Sequence, residues 1–317
     1  MNSTKRFTAG LLLVVLVWSP VVWAADQTLS LKKDFINQVM DRATVDTDLR
    51  IDEQSPLHSI SEKGNDGDIH MAGRDNVIKL PLVAELLNAR FEPDVMKFLK
   101  KISDGQVGSS VNVTGIWRIW FEHPGPGQVQ GQTVPAPSGS NPDHVFELHP
   151  LTRFGSFDCL DSFVNITNPK ASVNKVYKAY SATRAFGEYE KLEAAIKATS
   201  KRVFLATSQI GFNYTEFVIE LGGKPKDMGD SLMVTARIYD SADLEEPVVE
   251  KLHRMVFVKG SPPADQIQGL KKGDMLHVLG IPRVNLKEVM AVANKHGANE
   301  TVVALPYEMI IVAVLPD

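Results

Sequence analysis

Two distant segments of the chain carry one pattern. GSSVNVTGIWRI (108–119) and GDMLHVLGIPRV (273–284) agree at Gly108 and Gly273, Val113 and Val278, Gly115-Ile116 and Gly280-Ile281, and Arg118 and Arg283. Each reads as a tight turn, an alternating strand, and a glycine where that strand must bend sharply. A sheet of few strands closes on itself only with such kinks. One copy per half therefore predicts two related small β-barrels in tandem.

The flanking pattern suits a mainly β chain with a helical linker, α+β overall. Short alternating stretches occupy 61–168 and return over 203–317, giving a first and a second barrel domain. A helical stripe at Phe35, Ile36, Val39 and Met40 marks 26–60 as an N-terminal helical segment. Over 169–202, Val173, Val176, Tyr177 and Tyr180, then Tyr189, Leu192 and Ile196, predict a helical linker. This is also the most basic segment, and a solvated face accounts for its charge. Residues 124–142, rich in Gly, Pro, Gln and Ser, form a long loop inside the first barrel that lacks the apolar residues to pack a core.

Residues 1–25 have the parts of a secretory signal: Lys5 and Arg6, the apolar run LLLVVLV (11–17), and Val22-Trp23-Ala24 before the expected cleavage. The expected location is the periplasm or the medium, with no transmembrane span once the signal is removed. Cys159 is the only cysteine, so no intramolecular disulfide can form. Loss of the signal takes the formal charge from −4 to −6, which is not the basic footprint of a dedicated nucleic-acid binder.

LHRMVFV (252–258) followed by GLKKGDMLHVLG (269–280) resembles the OB-fold of bacterial single-stranded-DNA-binding proteins. His253-Arg254, Lys272-Gly273 and Gly280 stand at nearly that family's spacing, over Thr215 to Val289. The resemblance implies two OB-like barrels and a binding role. It does not carry the ligand across, because Leu252 and Val258 stand where the family has base-stacking aromatics. Residues 212–317 also hold 11 Lys and Arg against 15 Asp and Glu.

Two candidate sites follow from strand alternation. In GIWRIWFE, Trp117, Ile119 and Phe121 fall on one face, Arg118, Trp120 and Glu122 on the other. A guanidinium beside an indole can stack on a base or a sugar, so Arg118 and Trp120, with Arg254 and Arg283, are the candidate ligand-binding residues. In NDGDIHMAG and DHVFELHP, Asp68, His70, Glu147 and His149 are the candidate ligands of a divalent transition metal, with Glu85 and His123 able to join them. The ordinary alternative is a wet strand face. The expected function is an exported OB-fold binding protein for single-stranded nucleic acid or oligosaccharide. The alternatives are a metal-dependent hydrolase or nuclease and an envelope assembly protein.

Overall fold

The computed structural model describes residues 27–61, 66–123, 125, 127–167 and 177–316. The expected signal segment, and Val173 and Val176 of the expected linker helix, lie outside them. The chain opens with strand β1 (Gln27–Lys32), in which Leu29 and Leu31 alternate inward. Only then does helical spacing take over in the short helix α1 (Lys33–Val39), whose Phe35, Ile36 and Val39 are buried. Strand β2 (Thr44–Gln54) follows. The segment 26–60 thus holds two strands and only one short helix, where a helical segment was expected.

The first barrel continues through β3 (Ile69–Arg74), β4 (Leu82–Leu86), helix α2 (Pro93–Ser103), β5 (Ser110–Ile119), the brief β6 (Gln128–Val129) and β7 (Phe146–Phe154). Its strands run β2-β3-β4-β7-β5 and back to β2, with β4 and β7 parallel and the other pairs antiparallel. It therefore begins at Thr44, earlier than position 61.

Beyond it come helix α3 (Ala182–Tyr189), strands β8 (Glu193–Ala198) and β9 (Arg202–Thr207), and the second barrel. That barrel consists of β10 (Thr215–Leu221), β11 (Ser231–Tyr239), β12 (Val249–Val258), helix α4 (Pro262–Ile267) and β13 (Met275–Val284), then helix α5 (Leu286–His296), β14 (Thr301–Ala304) and β15 (Tyr307–Val314). Its strands close in the same order, β10-β11-β12-β15-β13, again with the third and fifth parallel. Two closed five-stranded barrels, each with a helix between its third and fourth strands, are OB-like. The protein is mainly β, with two tandem small barrels.

The expected helical linker is only partly helical. In β8, Ala194, Ile196 and Ala198 point inward at period two, while Lys197 faces out. The Leu192-to-Ile196 spacing that suggested a helix is shared by both periods. Strands β8 and β9 belong to neither barrel. They lie in a third sheet ordered β14-β8-β9-β1-β6, to which each barrel lends a strand from the excursion between its fourth and fifth strands. The Gly/Pro-rich loop is thereby anchored: β6 pairs with β1, and Arg202 reaches the carbonyl of Gln130 at 2.8 Å.

The matching segments are the fourth strand of each barrel, β5 and β13. Gly115 and Gly280 sit at breaks in register with the fifth strand. A Cβ on Gly115 would lie 2.8 Å from the Cβ of Leu148 and 3.1 Å from Leu151 Cδ2. Gly115→Val is expected to cost about 1–3 kcal/mol through overpacking, read from urea denaturation. The equivalent residues Ile116 and Ile281 leave their barrels and meet Leu87, Phe163, Tyr214 and Ile310 in an apolar cluster that seals the two halves together.

Candidate functional site

At this seam the repeated arginines meet reciprocally. Arg118 Nε donates to the carbonyl of Pro282 at 2.9 Å, and Arg283 donates to the carbonyl of Trp117 at 3.1 Å. Trp117 and Pro282 are themselves equivalent positions, so the contact has pseudo-twofold symmetry. Each arginine is paired in register with a glutamate of its own fifth strand, Arg118 with Glu147 and Arg283 with Glu308. The Arg283 guanidinium also stacks over Trp117 at 3.7 Å. Asp230 of the second barrel completes the joint, accepting from the Thr44 amide at 2.9 Å and its hydroxyl at 2.8 Å.

These contacts correct one expectation. Arg118, Trp120 and Arg283 do not form a ligand face: the C-terminal end of β5 is covered on both sides, and all three side chains are buried. Arg254 remains half-buried at a groove edge, its Nε 3.2 Å from Glu308.

From Glu147 a chain of acids and imidazoles runs outward across the first barrel. Ile69 and Met71 of β3 face the core, which turns His70 outward opposite Glu85 of β4. Strand β7 does the same with Phe146 and Leu148 inward, Glu147 and His149 outward. His149 Nδ1 lies 2.9 Å from Glu85 and 3.5 Å from Glu147, and its Nε2 meets the Tyr214 hydroxyl at 2.9 Å. His70 Nε2 is 3.7 Å from Glu85 and 2.6 Å from Asp68, whose other oxygen is 2.5 Å from His58 Nδ1. At the inner end His144 Nε2 meets Glu147 at 3.1 Å and stacks on His123 at 4.6 Å.

The four candidate metal ligands are therefore linked, but they do not form one centre. Asp68 and His70 gather with His58, Glu147 and His149 gather with Glu85, and His123 joins His144 instead. The strand face is not wet either, because the second half of the chain covers it. Arg118 already occupies Glu147, which leaves that cluster matched in charge. His58 was not legible in advance, since it precedes β3 by a loop with no periodicity. Glu308 was detectable as the one charge in YEMIIVAV, opposite Arg283.

Electrostatics follow from dryness and proximity. Burial alone would depress His149, but Glu85 and Glu147 lift it to about 10. His70 rises to about 10 as Glu85 and Asp68 outweigh its burial. Burial would raise Glu147, yet the Arg118 charge and bonds from His144 and His149 hold it well below the carboxylate range. Glu85 is lowered against its burial by His149 and His70. Asp66 goes the other way, pushed well above its ordinary value by burial and by the neighbouring Asp68 charge.

Each barrel also carries a cleft over its second and third strands, walled in the first by the excursion between the fourth and fifth strands and in the second mainly by the loop between the first and second. The first, about 650 Å³, has Gly73 of β3 and Leu82 of β4 as floor and the 127–143 loop as wall. The wall offers amides (Gln128, Gln132, Asn141), hydroxyls (Thr133, Ser138) and proline rings; among the described residues its one charge is Asp143. The second, about 540 Å³, is lined by Lys224, Lys226, Arg254, Lys287 and Asp41. Lys287 and Arg254 are already paired, with Asp41 and Glu308.

No family model and no curated protein matches this chain. Its barrels and clefts have to speak for themselves. Among the described residues no helix is long and apolar enough to cross a membrane.

Proposed function

We propose that this chain is an exported binding protein, and that the cleft of its first barrel takes an uncharged oligosaccharide. The observation that carries this reading is the cleft's lining. OB-like barrels bind oligonucleotides and oligosaccharides on the second and third strands and the adjoining loops, and the 650 Å³ cleft lies there. Its amides and hydroxyls can exchange hydrogen bonds with sugar hydroxyls, and its prolines and Leu82 offer apolar surface to ring C–H groups. Among the described residues its lining has neither a cation for a phosphate nor an aromatic ring for a base, and both are what single-stranded nucleic acid needs. Export rests on the signal-like residues 1–25.

Calorimetric titration with neutral oligosaccharides is expected to show binding that does not change with salt. Gln132→Ala should weaken it by about 3–10-fold, the worth of one hydrogen bond. Lys224→Ala with Lys226→Ala should leave it unchanged. Binding of a single-stranded oligonucleotide alone, falling steeply with salt and lost in the double lysine variant, would place the ligand in the second barrel's groove and overturn the assignment.

A further inference from the structure

We infer that His58, Asp68 and His70 form a site for a divalent transition metal of the zinc class, with solvent water completing the coordination. The site stands apart from the oligosaccharide cleft, whose lining shares no residue with it.

The donor set is the first argument. Two imidazole nitrogens, His58 Nδ1 and His70 Nε2, converge on the two oxygens of one carboxylate at 2.5 and 2.6 Å. Their rings stand nearly perpendicular, at 85° with centroids 4.9 Å apart. Two nitrogens and a carboxylate are a common protein share of a tetrahedral zinc site whose last position holds water. Bonds near 2.1 Å set neighbouring donor atoms about 3.4 Å apart, so the ion enters once each contact opens by under about 1 Å.

Preorganisation is the second. The segment carrying His58 is tied to the start of β3 by backbone bonds from Ser55 to His70 (2.9 Å) and from His58 to Asp68 (3.0 Å). The Ser55 hydroxyl accepts from the His70 amide at 3.0 Å. Both histidines are thus held on a short ladder that continues the β2–β3 pairing, which lowers the ordering cost of binding.

Charge and access complete the case. Asp68 and Glu85 are both buried beside His70, and among the described residues neither is paired with Lys or Arg. The inner cluster has Arg118; among the described residues the outer one has no Lys or Arg partner. A divalent ion taking the place of the His70 proton would add positive charge beside two dry carboxylates, Asp68 and Glu85, which are otherwise costly to bury. The site is also reachable: the His58 and His70 side chains are 30% and 14% exposed, whereas His144 and His149 are sealed.

The test is a Zn²⁺ titration of the chelator-stripped full chain by calorimetry, with the melting temperature read in parallel. One equivalent is expected to bind and to raise the melting temperature. His58→Ala, on the exposed rim, should weaken binding at least tenfold and abolish the thermal gain, while His296→Ala, remote on α5, should change neither. Co²⁺ provides a readout independent of stability, since its visible absorption reports the ligand set and should change in the His58→Ala protein. Absence of binding to the wild-type chain, or affinity and Co²⁺ spectrum unaltered by His58→Ala, overturns the inference.

Discussion

Replacing Arg283 by methionine is expected to destabilise the protein by about 3–5 kcal/mol, the usual loss when one partner of a buried ion pair is removed. The reason lies in how much one side chain satisfies. Its Nε donates to Glu308 at 2.7 Å, and its other nitrogens donate to the carbonyls of Trp117, Ala43 and Arg42 at 3.1, 3.3 and 3.3 Å. Arg283 and Glu308 are both fully buried, so water cannot replace these bonds. Methionine fills the volume but leaves a dry carboxylate whose remaining partner is Arg254. Whole domains are stable by about 5–15 kcal/mol, so the loss would be plain in the urea midpoint. Arg118→Met should cost less, because Glu147 keeps His144 and His149. Glu308→Leu added to Arg283→Met should restore much of the deficit, since replacing both members of a buried pair is often close to neutral. A single variant losing under about 1 kcal/mol would remove the pair from its role at the seam.

That seam explains which features were legible in the sequence. The two glycine-kinked strands could be matched because barrel closure imposes the same backbone demand on each copy, and a backbone demand is written locally. Alternation also placed His70, Glu147 and His149 correctly on the outer faces of β3 and β7. What lay against those faces was not written locally. Arg118 and Trp120 looked like a ligand platform because a strand pattern cannot tell solvent from a second barrel. The third sheet was hidden for a related reason: it gathers β1, β6, the β8–β9 hairpin and β14 from four separate places, and β8 holds an Ile at a spacing that serves helix and strand alike. The resemblance of 252–280 to single-stranded-DNA-binding proteins carried the OB-like barrel. Its missing aromatics at Leu252 and Val258 agree with a second-barrel groove that offers lysines without a stacking surface.

Between pH 7 and 9.5 stability is expected to decline, and His149→Gln should make that decline shallower, leaving the share that His70 contributes. The sign follows from proton counts. An unfolded histidine titrates near 6.5, whereas His149 in the folded protein holds its proton up to about 10 because Glu85 and Glu147 outweigh its burial. Below pH 6.5 both states are protonated and the stabilisation is fully present. Above it the unfolded chain releases a proton that the folded chain keeps, so stability drops by up to about 1.4 kcal/mol per pH unit until the folded value is passed. Glu85 and Glu147 are held low, so what they contribute is present above their unfolded values and fades only in acid. Their limb is therefore separate from the alkaline one. Glutamine keeps a polar group beside Tyr214 and Glu85 but has no proton to release. The wild-type and His149→Gln melting temperatures should then differ most at pH 6 and converge as pH rises toward 10. Curves that stay parallel over that range would show that His149 is neutral inside the seam, and that Arg118 alone balances Glu147.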